Sequence, residues 1–173
     1  MTENDTVSSF PAHVRADCVV LVLGSMPGVA SLQQAQYYAH PRNRFWPLMH
    51  ALLGVPAGAD YPARLHALAQ AGVGLWDVIG QCRRRGSLDA DIVRGSEVAN
   101  PLPELIATLP QLRLVACNGA AAFQAFQRLI VPQLAVPLDA LSLPSTSPAN
   151  ASFTLPRLRQ AWQPVAETVA ASH

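Results

Sequence analysis

Four short apolar runs, separated by segments with helical periodicity, restrict the fold of this chain more than any other feature. The runs are CVVLVLG (18–24), GLWDVIG (74–80), LRLVACNG (112–119) and LDALSLPS (138–145). The first is almost continuously apolar and ends at a glycine, which is typical of a parallel strand that is covered on both faces. Strands that alternate with helices predict a sheet lying between helical layers. We therefore expect an α/β fold, a three-layer α/β/α sandwich around a central, mostly parallel four-stranded sheet.

The intervening segments place apolar residues near the 3.6-residue period of a helix. They span 43–54, 61–72, 102–109 and 120–130, and a last helix is predicted from about Leu155. Pro156 suits the first turn of that helix, and Pro164 predicts a kink in it. Residues 1–16 lack these patterns, so we expect a loose N-terminal leader followed by a single domain over residues 17–173.

The residue types present exclude several chemistries. All twelve basic residues are arginine, so no lysine can form a Schiff base or bind a phosphate. The three cysteines lack the CxxC spacing of a zinc or iron–sulfur site, so we expect no metal, no cofactor and no disulfide framework. No signal-like or membrane-spanning run appears, which favours a cytoplasmic protein without membrane contact. We expect it to act as a monomer.

Small and polar residues follow each predicted strand. GSMPG follows the first, CRRRG the second, NG the third and STSPANAS the fourth. The carboxyl ends of parallel strands form the ligand-binding edge of such sheets, and free backbone amides there hold anions. Each segment alone also fits an ordinary turn or a solvated loop. The prediction of a binding site depends on their placement together at one edge.

Two segments after the first strand resemble the uracil-DNA glycosylase superfamily. They are Gly24-Ser25-Met26-Pro27-Gly28 and Tyr38-Ala39-His40-Pro41-Arg42-Asn43-Arg44-Phe45-Trp46. They are most similar to the hypoxanthine-DNA glycosylase branch, and the mismatch-specific uracil branch is the second most similar. In these branches G-x-x-P-G precedes a segment like H-P-x-N-R-F-W. The segments LWDVI, GSLDADI, NG and LPSTSPANAS follow in the family's order. The resemblance therefore spans about residues 18 to 160.

This resemblance implies a monofunctional DNA glycosylase that flips a deaminated base out of DNA and hydrolyses its N-glycosidic bond. Many relatives carry a water-activating residue at the position of Met26, whose side chain cannot do this. The hypoxanthine branch relies on the asparagine that corresponds to Asn43, so Asn43 is the expected catalytic residue. The base-binding surface is expected to comprise Gly24, Ser25, Met26, Tyr38 and Asn118, with Tyr38 as the stacking aromatic.

Contacts with the DNA backbone are expected from two further segments. They comprise Ser145, Thr146, Ser147 and Asn150 in the last motif and Arg83, Arg84 and Arg85 after the second strand, although the arginines also fit a solvated loop. The expected partner is DNA that contains a deaminated base. Hypoxanthine is favoured because its N7 can take a proton, whereas uracil leaves as an anion. Two alternatives stay open, a non-catalytic nucleic-acid-binding module of the same fold and a small nucleotide hydrolase.

Overall fold

The computed structural model describes residues 5–173, which form seven strands and seven α-helices. The strands are β1 (Thr6–Ser8), β2 (Val20–Gly24), β3 (Val73–Asp77), β4 (Ile79–Arg83), β5 (Val98–Ala99), β6 (Leu114–Asn118) and β7 (Asp139–Leu143). The helices are α1 (Val29–Gln34), α2 (Phe45–Leu53), α3 (Tyr61–Gln70), α4 (Leu102–Ala107), α5 (Ala120–Leu129), α6 (Leu155–Ala161) and α7 (Gln163–Ala170).

The central sheet has four strands in the order β3-β2-β6-β7, and every neighbouring pair is parallel. Each of the four apolar runs in the sequence forms one of these strands, so the predicted sheet is confirmed. All five residues of β2 are buried, as expected for a strand with helices on both faces. The four carboxyl ends consequently lie along one edge of the sheet.

The residues of β2 alternate between two hydrophobic clusters, which lie on opposite faces of the sheet. Val20 and Val22 pack in the cluster that contains Phe45, Trp162 and other residues of α2, α3, α6 and α7. Leu21 and Leu23 pack with residues of α4 and α5 on the other face. Successive side chains of a strand point to opposite faces, so one strand supplies both cores. The predicted three-layer sandwich is confirmed.

A small antiparallel sheet of order β1-β4-β5 was not predicted. The predicted strand 74–80 is divided between β3 and the first residues of β4, and β4 continues to Arg83, where a loop was expected. In the described part of the expected leader over residues 1–16, Thr6–Ser8 pairs with β4 and His13 forms a bridge with Leu75. Residues 1–4 lie outside the described part of the chain.

The predicted helices form close to their expected bounds, and α1 is an addition. Pro156 lies in the first turn of α6, where its missing N–H has no cost. The predicted kink is a full break, since α6 ends at Ala161 and α7 begins at Gln163 with Pro164 in its first turn. Within residues 5–173, none of the helices has the length and apolar character needed to cross a membrane.

Candidate functional site

A cavity of about 310 Å³ opens at the carboxyl edge of the central sheet. Its walls come from the ends of β2, β3 and β6, from the loop after β7 and from the segment between α1 and α2. The predicted residues that line it are Gly24, Ser25, Met26, Tyr38, Asn43, Asn118, Ser145, Thr146 and Ser147. The cavity also has lining residues that were not predicted, among them Ser31, His40, Asp77, Ser87 and Asp89. Its size is that of a pocket for a small ligand such as a nucleobase.

A chain of hydrogen bonds joins three strand-end loops in this cavity. The Asn118 side chain accepts from the Thr146 backbone N–H at 3.0 Å and donates to Thr146 Oγ1 at 3.0 Å. Thr146 Oγ1 in turn donates to Asn43 Oδ1 at 2.9 Å. Thr146 is fully buried, so these bonds are protected from water. The chain fixes the side-chain orientation of Asn43.

The orientation of Asn43 restricts its chemistry to donation. Its Oδ1 accepts a second hydrogen bond, from the Phe45 backbone N–H at the start of α2, at 2.9 Å. Both acceptor positions of the amide oxygen are therefore occupied, whereas Nδ2 donates to no other group in residues 5–173. The side-chain NH₂ is the part of Asn43 that can serve a substrate or a water molecule.

Tyr38 adopts a backbone conformation that few side chains accept. Its φ is 55°, in the left-handed region, and such strain is commonest at functional sites. The ring packs against Phe45 with 4.1 Å between the ring centroids. Burial raises the pKa of the Tyr38 hydroxyl, and the nearby Asp77 raises it further, so the hydroxyl is neutral and can donate a hydrogen bond.

Gly24 lets two polar side chains approach the end of β2. A Cβ at this position would lie 2.6 Å from Asp77 Oδ1 and 3.5 Å from the Tyr38 hydroxyl. The first distance is shorter than atoms tolerate, so only glycine leaves the carboxyl group where it is. The glycine of the first motif therefore holds space for Asp77.

Asp77 is the main residue that sequence reasoning missed. It is the last residue of β3, only 4% exposed, and its Oδ2 has no hydrogen-bond partner within residues 5–173. Burial raises the pKa of this carboxyl group to about 7, with a further increase from Asp89 and an opposing effect from Arg84. The available signal was one acid at the end of an apolar strand that points to the ligand edge.

His40 is a second residue of the cavity that was not singled out. Its Nδ1 accepts a hydrogen bond from the Arg42 backbone N–H at 3.1 Å. In the neutral ring the hydrogen is therefore on Nε2, which makes that nitrogen a donor. The signal in the sequence was its position inside the polar segment that precedes α2.

Buried contacts fix the position of the first motif, Gly24–Gly28. Met26 is 8% exposed and packs with Ile79 and Cys82 while its surface lines the cavity. The Ser25 hydroxyl donates to Asp89 Oδ1. A thioether offers almost no hydrogen-bonding capacity, so Met26 contributes apolar surface to the cavity.

The loop after β7 is tied to the start of α2 by Arg44. Its Nη2 donates to the backbone oxygens of Ser147 at 2.7 Å and Asn150 at 3.0 Å. Asn150 in turn donates through Nδ2 to the Ser145 backbone oxygen at 3.0 Å, which closes the loop on itself. Asn150 therefore shapes the loop from outside the cavity lining.

Two of the residues predicted to contact DNA are corrected by their burial. Thr146 is fully buried with its hydroxyl already bonded to Asn43, so it cannot reach a phosphate. Arg84 is 3% exposed and donates to the Pro27 backbone oxygen beneath the first motif. Arg83 and Arg85 are exposed, and Arg85 pairs with Asp5 at 3.0 Å. Successive side chains of an extended chain point to opposite sides, so Arg84 points inward while Arg83 and Arg85 point to solvent.

No group of three His, Cys, Asp or Glu side chains suited to a metal ion occurs in residues 5–173. The three cysteines are free and buried. Burial raises the pKa of Cys117 to about 12 and that of Cys18 to about 11, so neither thiol has nucleophilic character at neutral pH.

Comparisons with known proteins agree on one family. A family model described as the Uracil DNA glycosylase superfamily matches residues 11–166. A hypoxanthine DNA glycosylase of Methanosarcina acetivorans is 34% identical over 157 residues, 90% of this chain and 95% of the relative. One of Methanosarcina barkeri (strain Fusaro) is 38% identical over 111 residues, 64% of this chain and 69% of the relative. An NMR structure of a candidate uracil DNA glycosylase from M. acetivorans superimposes with a TM-score of 0.80 at 31% identity, covering 95% of this chain and 99% of that one.

Proposed function

The chain belongs to the uracil DNA glycosylase superfamily and is a DNA glycosylase, and we propose that it is monofunctional and removes hypoxanthine from DNA in preference to uracil. Two relatives of 34% and 38% identity are named hypoxanthine DNA glycosylases, which supports this choice of base. We also propose that a monomer is the active form.

The observation that carries this proposal is the hydrogen-bonded chain from Asn118 through Thr146 to Asn43. It fixes an amide donor beside an aromatic side chain in a cavity of nucleobase size. A base inside a DNA duplex cannot reach such a cavity, so we propose that the nucleotide is flipped out of the stack and that Tyr38 contacts the plane of the flipped base. These are the groups that base excision needs.

In the proposed reaction a water molecule adds its oxygen to C1′ of the sugar while the bond to the base breaks. The bonding electron pair leaves with the base, and one proton of the water is released to the base or to solvent. Negative charge thus develops on the base and positive charge on the sugar. The Asn43 NH₂ stabilises this step by donating a hydrogen bond to the leaving base, where the negative charge develops.

Met26 supports the preference for hypoxanthine over uracil. The position lines the cavity but supplies no acceptor that could activate a water molecule. The enzyme must then depend more on the ability of the base to leave. Hypoxanthine can accept a proton at N7, whereas uracil leaves as an anion, so excision of uracil is expected to be slower.

Partly exposed hydroxyls at the cavity and two arginines at the end of β4 are proposed to hold the DNA backbone. Ser145 Oγ and Ser147 Oγ each accept a hydrogen bond from the loop backbone, which leaves both hydroxyl protons for phosphate oxygens. Arg83 and Arg85 are exposed cations, at and just after the end of β4, and we propose that they add a sequence-independent attraction.

The test is a panel of labelled oligonucleotides that differ only in one base, followed by alkali cleavage of abasic sites. Excision under single-turnover conditions should be faster from deoxyinosine DNA than from deoxyuridine DNA, and adenine-containing DNA should stay intact. A higher rate on uracil would contradict the proposed base choice. Binding to every oligonucleotide without release of any base would instead identify a non-catalytic DNA-binding module, and action on free nucleotides a nucleotide hydrolase.

A further inference from the structure

Most polar side chains in the cavity already have partners within the chain. Asn118 is bonded to Thr146, and the hydroxyl of Ser25 is bonded to Asp89. Asp77 differs, because its Oδ2 is buried without any partner in residues 5–173 and the residue lines the cavity. A buried polar atom without a partner is uncommon in a folded protein and commonly marks a functional group.

The position of Asp77 is tightly held. Its backbone oxygen accepts a hydrogen bond from Asn100 Nδ2 at 2.8 Å, and Asn100 Nδ2 also donates to Ser9 at 3.1 Å. The carboxyl group lies against the bare Cα of Gly24, where any Cβ would collide with Oδ1. The structure therefore keeps this carboxyl group at the cavity although nothing in the described chain satisfies it.

The surroundings of Asp77 favour a neutral carboxyl group. The charged and titratable groups that act on it are Asp89 from the 3-10 turn, Arg84 beyond β4, and Tyr37 and Tyr38 from the segment before α2. Arg84 is the only cation among them, and it donates to the Pro27 backbone oxygen and forms no ion pair with Asp77. A fully buried carboxylate without a paired cation is costly, and Asp89 adds like-charge repulsion.

We propose that Asp77 binds the edge of the flipped hypoxanthine as a neutral carboxylic acid, donating its hydrogen to O6 and accepting a hydrogen bond from N1–H. This inference rests on the proposed function and adds the residue that recognises the six-membered ring. Hypoxanthine presents one acceptor and one donor side by side on this edge, which a carboxylic acid matches with its own donor and acceptor. The unpartnered oxygen is then satisfied by the substrate.

The neutral form also assists the reaction. Charge that moves onto the purine as the glycosidic bond breaks is shared by O6, so a hydrogen bond at O6 strengthens in the transition state. Asp77 keeps its proton throughout, and no bond to the carboxyl group forms or breaks. An ionised carboxylate at the same place would repel the leaving base.

The first experiment compares pH profiles. Single-turnover excision of hypoxanthine by the wild type should fall about tenfold per pH unit above the ionisation of Asp77. Asp77→Asn keeps a donor and an acceptor at every pH, so its rate should lack this fall. Asp139→Asn removes an acid at the opposite end of β7 and should follow the wild type. A wild-type rate that is flat with pH would overturn the neutral-acid role.

The second experiment removes the interacting atoms first from the protein and then from the base. Asp77→Ala should excise hypoxanthine about 10²-fold more slowly than the wild type, the scale for one lost transition-state hydrogen bond. On DNA containing unsubstituted purine, which has neither O6 nor N1–H, the two proteins should differ little. An equal loss on both bases would show that Asp77 acts only through the fold and would refute base recognition.

A binding measurement separates this inference from the proposed function. Calorimetric titration with free hypoxanthine needs no cleavage. Asp77→Ala should bind hypoxanthine at least about tenfold more weakly than the wild type does, whereas the two proteins should bind unsubstituted purine with similar affinity. A wild type that binds hypoxanthine through Asp77 but does not excise it would contradict the proposed function alone. Active wild type with unchanged binding in Asp77→Ala would contradict the role of Asp77 alone. Thermal melting of each variant confirms that it is folded.

Discussion

At the residue scale, the site is defined by which polar atoms are already bonded. The Asn43 oxygen is saturated by Phe45 and Thr146, so Asn43 acts on a substrate as a donor. The Asp77 carboxyl group has no partner within residues 5–173 at Oδ2, and burial raises its pKa to about 7, which favours the neutral form. Neither property is visible in residue type alone, because each depends on what surrounds the side chain.

Replacing Asn43 separates catalysis from capping. Asn43→Ala should slow single-turnover excision by about 10²-fold, because the amide donor is lost. It should also lower stability by about 1 kcal/mol, because the Phe45 N–H loses its acceptor. Asn43→Asp is the matched control, since it keeps that acceptor but has no NH₂. We expect normal melting with low activity, and a near-normal rate in Asn43→Asp would remove the donor from the mechanism.

The ionisation of Asp77 makes stability depend on pH. Its pKa is about 7 in the fold against 3.8 ordinarily, so the folded state binds this proton more tightly than the unfolded chain. The resulting stabilisation is complete below about pH 4 and is lost as pH rises through about 7. The melting temperature of the wild type should therefore fall between about pH 4 and pH 7 and level off above. Asp77→Asn should lack this component, whereas a parallel decline in both proteins would contradict the assignment.

At the scale of elements, strands with strong apolar character were predictable and weak ones were not. The central strands and five helical segments follow from hydrophobic periodicity. The missed strands β1 and β5 have only three and two residues, which is too short for a pattern to appear. The alternation of exposed and buried residues in β4 continues one residue further, to the buried Arg84. The sequence of three consecutive arginines gave no indication that the middle one is buried.

The candidate site was predictable where several residues form a motif. Gly24, Tyr38 and Asn43, which belong to the motifs quoted for the resemblance, all line the cavity. Asp77 could not be found this way, because a single acidic residue has no partner at a fixed spacing and so forms no motif. Its significance comes from its burial, which only the packed sheet creates. Thr146 was misassigned for the same reason, because a serine- and threonine-rich loop does not reveal which hydroxyl points inward.

The turn at the end of β2 tolerates no added methyl group. Gly24→Ala would place Cβ 2.6 Å from Asp77 Oδ1, so the carboxyl group must move out of its position. We expect hypoxanthine excision to fall by at least about tenfold with little change in DNA affinity, because the displaced group contacts the base and no phosphate. Gly58→Ala, where nothing lies within 4 Å, is the control. Normal excision by Gly24→Ala would show that this close approach is dispensable.

The exposed arginines at the end of β4 should act through charge alone. Changing Arg83 and Arg85 together to Ala should weaken binding to every DNA sequence alike and lower the slope of log affinity against log salt by up to about 2. Arg113→Ala removes an exposed arginine that precedes β6, at the opposite edge of the sheet, and should leave the slope unchanged. An unaltered slope in the double variant would place both arginines away from the DNA.

At the scale of the whole molecule, the absence of lysine defines the reaction type. No side chain among the 173 residues can form the usual Schiff base with an abasic sugar. Borohydride added during turnover should therefore trap no covalent complex between protein and DNA, and gel electrophoresis would detect one. A robust adduct would implicate the N-terminal amine as a nucleophile and contradict a monofunctional mechanism.

The bond between Asn43 and Thr146 spans 103 residues, and Arg44 reaches Asn150 across 106. Contacts this distant in sequence form late, because the closure of a long loop must precede any gain from it. A nascent chain on the ribosome could pair β2, β3 and β6 and still lack the loop that orients Asn43. Synthesis therefore produces three of the four central strands before the active centre, so a partly made chain holds most of the scaffold of a glycosylase without its ability to cut a base from DNA.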